Sequence, residues 1–370
     1  MIKFAQPQLD EDTIQAVAGV LRSNWLATGP HVTAFEQALS HSFGGRPTRV
    51  VTSATGAIEI ALQVCGIGAG DEVITSAQSF FSAMNMIVKV GATPVFVDCD
   101  LHTRAIDLAQ VEAAITPRTR AIMPTHFPGA LGDLDALYAL ARRHRLRVIE
   151  DAALVQGSYW NERPVGGFGD IATFSFHPNK NMTSIEGGAI VVASEDDAAL
   201  VDLLRFHGIR RLPDDTRDVA VAAGKFNMSD VSAIIGLHQL RQLPAFLAQR
   251  AALADRYFQQ LPALPGVVAP PRGVARQSWN MFNLLIPYER FGHTRQSFRA
   301  ALQDRGVGTG MSYEACHQTS VGRGFGYTDG QFPHAERIAR ETVTLPLHVA
   351  MTSADVDLVC AAVAEVLPAQ

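Results

Sequence analysis

The chain has 370 residues, 47% of them hydrophobic and 18% charged, with a formal net charge of −5. This balance excludes a disordered or fibrous chain and gives no basic footprint for nucleic acid, while the length suits a large core plus a smaller second domain. Cys65, Cys99, Cys316 and Cys360 make no metal-ligand spacing, the segment Met1 to Pro7 lacks a signal peptide's apolar core, and no apolar run is long enough for a membrane span, so a soluble cytoplasmic protein without a metal is expected.

From the N-terminus, Asp10 to Trp25 predicts a helix, with Ile14, Val17, Val20 and Leu21 at helical spacing and acidic residues at its start. Thr28-Gly29-Pro30 breaks it, and a second helix runs over Val32 to Phe43. Val50-Val51-Thr52-Ser53-Ala54-Thr55-Gly56 leads from a short strand into a helix over Ala57 to Val64. Small residues at a helix N-terminus leave backbone N–H groups free to cradle a phosphate, and they serve equally as a plain Ser/Thr cap.

Strands and helices then alternate. Strands are expected at Glu72–Thr75, Pro94–Asp98, Arg120–Thr125 and Leu146–Glu150, with helices at Phe81–Val90, Leu108–Ile115 and Asp133–His144 between them. Near-continuous apolar strands separated by helices imply a mostly parallel sheet covered on both faces. Such sheets bind ligands at the carboxyl ends of their strands, where Ser53, Thr125-His126, Asp151 and the loop from Ser175 to Lys180 all fall.

The most informative stretch is Phe174-Ser175-Phe176-His177-Pro178-Asn179-Lys180, followed by Glu186-Gly187-Gly188 and a second apolar strand. A lysine enclosed among aromatic and glycine residues loses pKa by desolvation and becomes a usable amine nucleophile. The stretch alone also permits a surface lysine on a loop. Asp151, at the end of an apolar strand and before Ala152-Ala153, is either a helix cap or the carboxylate partner of a pyridinium nitrogen.

A helix over Asp196–Phe206 precedes a polar stretch, His207 to Asp218, that reads as an active-site or interface loop. Met228-Ser229-Asp230 opens a long helix that continues past Pro244 to about Leu261. Pro262 to Arg276 is the best linker candidate, and the remainder reads as a smaller α/β domain with a strand at Phe282–Ile286 and helices at Ser297–Arg305 and Ser353–Val366. The expected division is a cofactor-binding domain over 1–245 and a C-terminal domain over 246–370.

Taken in order, these segments resemble the DegT/StrS-type sugar aminotransferases, the nucleotide-sugar branch of the fold type I pyridoxal-phosphate enzymes. The likeness spans nearly the whole chain. It rests on Thr28-Gly29-Pro30, Gly68 to Ile74, Gly91 to Asp98, Ala114 to Ile122, Ile149 to Ala153 and Phe174 to Gly188. The resemblance implies that Lys180 carries pyridoxal phosphate on its amine and that Asp151 pairs with the pyridine nitrogen. Ala54 and Thr55 would hold the phosphate through their N–H groups, with the Ser175 hydroxyl, and Phe80 would lie against the ring, with Phe81 the core aromatic. Lys225 stands where relatives place a phosphate-binding residue for the neighbouring subunit, so a homodimer with its site at the interface is implied. His126, Tyr313 and His317 are candidate substrate contacts. Leu154 departs from the Gln or His usual near the cofactor's phenolic oxygen, so that either Gln156 serves as the donor there or the oxygen is less well held.

The activity implied is transfer of an amino group from a small donor, glutamate by resemblance, to a keto-sugar. Two alternatives stand beside it. Sugar dehydratases of the same family carry His where Lys180 stands. A non-catalytic pyridoxal-binding regulator would lack the lysine or the aspartate, or carry a DNA-binding domain.

Overall fold

A computed structural model describes residues 1–273 and 276–367. Val274 and Ala275 of the expected linker, and the last three residues of the expected C-terminal domain, lie outside the described residues.

The apolar runs form one seven-stranded sheet. Its strands are β1 (Thr48–Val51), β2 (Glu72–Ser76), β3 (Thr93–Val97), β4 (Thr119–Met123), β5 (Arg147–Asp151), β6 (Ile171–Ser175) and β7 (Gly188–Val191), in the order β1-β7-β6-β5-β4-β2-β3. The strands from β3 to β6 along that order pair in parallel, and β7 runs antiparallel to both its neighbours. Every residue of β2 and of β6 is buried, as a parallel sheet covered on both faces requires.

The helices of this part are α1 (Glu11–Ser23), α2 (Pro30–Ser42), α3 (Ala54–Val64), α4 (Phe81–Lys89), α5 (Leu108–Ala113), α6 (Leu134–His144) and α7 (Glu195–Leu204). Several start where a short polar side chain satisfies an otherwise free backbone N–H. Asp10, Ser53, Asp133 and Ser194 accept from Thr13, Gly56, Ala136 and Asp197 respectively. The Ser53 cap starts α3 at Ala54, three residues before the position expected from apolar spacing.

The polar stretch after α7 is a β-hairpin, β8 (Ile209–Arg211) paired with β9 (Arg217–Val219). Its turn is set by Asp214, whose carboxylate accepts the Thr216 N–H at 3.1 Å. The hairpin is mostly exposed, so its strands lack the apolar alternation that marks a strand in sequence.

Helix α8 (Asp230–Gln260) runs unbroken through Pro244. Its first residue, fully buried Asp230, takes the N–H groups of Gly29, His31 and Val32 at 2.8, 3.2 and 3.0 Å. That carboxylate explains why the Thr28-Gly29-Pro30 break has its shape. One hydrophobic core packs Phe35, Phe174, Phe176 and Leu243 against the sheet. A second gathers Leu253, Tyr257, Phe282, Phe298 and Val359. This second core lies among α8, β10 (Phe282–Leu285), α9 (Arg295–Asp304), β11 (Thr342–Leu345) and α10 (Ser353–Val366). The two cores thus share α8 as a spine.

The N-terminal residues form a strap across both parts. Ile2 donates to Gly306 O at 2.7 Å, and Lys3 O accepts from His348 Nε2 at 3.0 Å. Gln8 O then accepts from Gln239 of α8 at 2.8 Å. Among the described residues, no helix is long and apolar enough to cross a membrane.

Candidate active site

Four carboxyl strand ends converge. Asp151 closes β5, Thr125 follows β4, Phe80 follows β2 as the first residue before α4, and Ser175 closes β6. Asp151 is 3% exposed, and its carboxylate accepts the Ala153 N–H at 3.2 Å. Burial pushes its pKa up, opposed by that N–H and by the charge of Lys180. Thr125 pairs with Asp151 through the backbone and with the buried Ser79 hydroxyl at 2.9 Å.

Lys180 sits in the turn after β6, where its N–H donates to His177 O at 2.9 Å. The residue keeps some exposure while its amine end is enclosed. Burial pulls that amine's pKa down to about 8, and the charge of Asp151 opposes the shift. A lysine with an ordinary pKa is almost wholly protonated at neutral pH; this one holds a usable fraction of free amine.

Beside this pair lies the open first turn of α3. Gly188 lets β7 reach it, since a Cβ there would stand 2.5 Å from Ala54 N. The amides of Ala54 and Thr55 and the hydroxyl of Ser175 belong to the same corner of the sheet, a helix N-terminus with the positive dipole end that suits phosphate.

Phe80 is 46% exposed, and its ring lies 5.2 Å from that of Tyr313, which in turn lies 5.6 Å from Phe127. Phe81 packs against the core at its side. Tyr313 reaches in from the C-terminal part and lines one cavity with Lys180. Burial and the charge of Asp151 hold its phenol protonated.

Other candidates face elsewhere. His126 is engaged by Glu150, Nε2 to Oε2 at 2.7 Å, and the Tyr138 hydroxyl meets the same carboxylate at 2.5 Å. Glu150 and Asp151 are consecutive on β5, so they point to opposite faces of the sheet. His317 is fully enclosed, with Nε2 3.0 Å from Glu336 and its ring against Phe332. Lys225 is exposed and donates to Asn227 Oδ1 at 3.0 Å. Leu154 is buried in an apolar cluster that includes Phe127 and Tyr313. Gln156 is buried, and its backbone carbonyl accepts from Asn181 Nδ2 at 3.1 Å. It also lines a groove against α2 and α8.

Sequence reasoning missed Arg250, a charge set on the apolar stripe of α8 with Phe246, Leu253 and Ala254 at helical spacing. That misplaced charge was the available signal. It also missed the Ser79–Thr125 hydroxyl pair, which no spacing rule exposes.

Residues 7–364 match the model of the DegT/DnrJ/EryC1/StrS aminotransferase family. The chain belongs to that family. It is 36% identical over 377 residues to the spore coat polysaccharide biosynthesis protein SpsC of Bacillus subtilis (strain 168), covering 99% of this chain and 97% of SpsC. Among solved structures it superposes on the aminotransferase TlmJ from Streptoalloteichus hindustanus with a TM-score of 0.91 and 32% identity, covering 99% of both chains. It also matches the PLP form of the putative sugar aminotransferase Spr1654 from Streptococcus pneumoniae, with a TM-score of 0.92 and 28% identity over 99% of this chain and 98% of that one. The protein is therefore a pyridoxal-phosphate-dependent transaminase with a fold type I architecture. Its residues suit the cofactor: a buried carboxylate that calls for a cationic partner, an enclosed amine of lowered pKa, and a helix N-terminus fit for a phosphate.

Proposed function

We propose that the enzyme transfers an amino group from a small amino-acid donor, glutamate in our reading, to a nucleotide-linked keto-sugar for amino-sugar or surface-polysaccharide synthesis. The observation that carries this reading is the pairing of an enclosed amine, Lys180, with a buried carboxylate, Asp151, at neighbouring strand ends in a chain similar to SpsC and Spr1654. The family's dehydratases are disfavoured by Lys180 itself, since a histidine at that position cannot supply the amine.

In this account Lys180 would hold pyridoxal phosphate, Asp151 would serve the pyridine nitrogen, and Ala54, Thr55 and Ser175 would hold the phosphate. Phe80 would lie against the ring. The bound cofactor supplies an electron sink for the bonds at the donor's α-carbon. The chain's own part is proton handling and exclusion of water. The Lys180 amine would act as the general base for the donor's α-proton and as the general acid that returns it. Asp151, a buried carboxylate, would keep the pyridine nitrogen protonated. Tyr313, neutral and enclosed, orients the reacting groups from the C-terminal side.

The division near residue 245, the cytoplasmic setting and the homodimer are part of the same proposal. Trp25, Ile185, Phe206 and Val219 are exposed apolar side chains of the kind that a second copy would cover. From there Lys225 would reach the phosphate of the partner's site. His126 and His317 drop to supporting roles, since each is held by a carboxylate.

The test is to supply glutamate with a panel of nucleotide-linked keto-sugars and simple keto acids, and to follow aminated product by mass spectrometry. Amination of at least one keto-sugar, with parallel double-reciprocal lines, is expected. Amination of keto acids alone would remove the sugar from the account.

A further inference from the structure

Arg104 lies between β3 and α5 and is 1% exposed. Its turn is folded by Asp100, whose carboxylate accepts the N–H groups of His102 and Thr103 at 3.0 and 2.7 Å. The Arg104 N–H closes the turn on Asp100 O at 2.8 Å, with the residue at φ 62°. From there the side chain crosses to the C-terminal part, where one terminal nitrogen donates to Asn283 Oδ1 of β10 at 3.0 Å. Its Nε and its other terminal nitrogen are buried with no hydrogen-bond partner, so among the described residues no carboxylate hydrogen-bonds this guanidinium. Burial lowers its pKa only to about 10, and it stays charged at neutral pH.

A guanidinium can only donate, so it fixes which way the Asn283 amide faces. With Oδ1 turned to Arg104, Nδ2 points the other way and meets Thr342 Oγ1 at 2.6 Å and Thr344 Oγ1 at 3.2 Å. Thr342 accepts there, and its own hydroxyl proton goes on to Ser312 O at 2.8 Å. Donors thus run one way, from Arg104 through Asn283 and Thr342 to the Ser312 carbonyl, and all four residues are buried. That carbonyl belongs to the planar peptide that enters Tyr313, whose ring lies against Phe80 and Phe127. We propose that Arg104 is a positioning residue of the transaminase, setting through Asn283 and Thr342 where the Tyr313 ring stands in the cavity it lines with Lys180. The inference rests on the transaminase reading and deepens it by adding a control on Tyr313 from a distant loop. A buried charge that served only to join the two parts would be better satisfied by a carboxylate than by a neutral amide. The amide supplies what a carboxylate cannot, a donor to Thr342.

The experiment uses the cofactor-loaded enzyme and follows the glutamate half-reaction by absorbance. Asn283→Asp, Arg104→Met, Arg104→Lys and Thr342→Val are each measured with Tyr313 present and in a Tyr313→Ala background, with denaturant unfolding alongside. Asn283→Asp gives Arg104 a carboxylate and takes away the donor to Thr342. It is expected to unfold at a denaturant midpoint no lower than wild type, yet to slow the half-reaction at saturating glutamate by about tenfold. Arg104→Met and Thr342→Val should slow it by a similar factor, and Arg104→Lys, which still donates to Asn283, by about threefold at most. In the Tyr313→Ala background each loss should shrink to roughly twofold or less, because no ring remains to be placed. Rates within about twofold of wild type in Asn283→Asp and Thr342→Val, or the same losses with and without Tyr313, overturn the proposal. Thr342→Val removes one hydroxyl alone, so it decides the question even where Arg104→Met does not fold. If wild type shows no absorbance change with glutamate, the transaminase reading itself has failed, whatever these variants do.

Discussion

The amine of Lys180 and the carboxylate of Asp151 act on each other from the ends of two hydrogen-bonded parallel strands, with Asp151 opposite Thr173 in register. Each is displaced from its ordinary ionisation by burial, and each charge partly restores the other. The reaction the fold supports depends on that balance.

Removing one side of the pair should shift the other. With a pKa of about 8, roughly a tenth of Lys180 is free amine at pH 7, against about three in ten thousand at the ordinary value. Asp151→Asn removes the charge that holds the amine protonated, so its pKa should fall below 8. The pH profile for cofactor capture by the stripped protein should therefore move to lower pH, while turnover falls by a hundredfold or more for want of a partner at the ring nitrogen.

Phe80 offers an exposed ring face beside Tyr313. Phe80→Ala should weaken cofactor retention by up to about tenfold, the scale of an aromatic contact of 0.5–1.5 kcal/mol. Equilibrium dialysis against pyridoxamine phosphate measures it.

The network of Glu150 with His126 and Tyr138 lies on the opposite face of β5 from Asp151. Glu150 is fully buried. Replacing His126 with leucine should leave that carboxylate with an unmet acceptor and cost about 2–4 kcal/mol of stability. The absorbance band of the bound cofactor should persist in the folded variant. Denaturant unfolding and the spectrum together check both halves.

Ile185 is a β-branched residue at φ 71°, exposed, five residues after Lys180. That conformation costs an ordinary residue about 1–3 kcal/mol and glycine very little. Ile185→Gly should stabilise the protein by about 1 kcal/mol after the entropy of the added glycine, read as a higher denaturant midpoint at unchanged slope.

Much of the fold was legible because its signals are local. Strands buried on both faces wrote themselves as apolar runs, and polar caps such as Asp133 marked helix starts. Asp151 and Lys180 were legible because strand ends in a parallel sheet are where sites form. The hairpin at Ile209–Val219 was not, because exposed strands carry no alternation. The packing of Gln156 against α2 and α8 was not either, since the direction of a turn depends on tertiary contacts. His126 adjoined the right strand end, yet its role was decided by Glu150, a residue on the other face. The partners of Arg250, the carbonyls of Trp279, Asn280 and Leu347, lie too far along the chain to be read from spacing.

The most direct test of the central claim is the absorbance spectrum of the purified protein with pyridoxal phosphate, compared with Lys180→Ala. A band at roughly 400–430 nm that moves to roughly 330 nm on adding glutamate, and that is absent as a covalent species in the variant, is the predicted result. A wild-type protein that stays colourless, or a variant that keeps the covalent band, would contradict it.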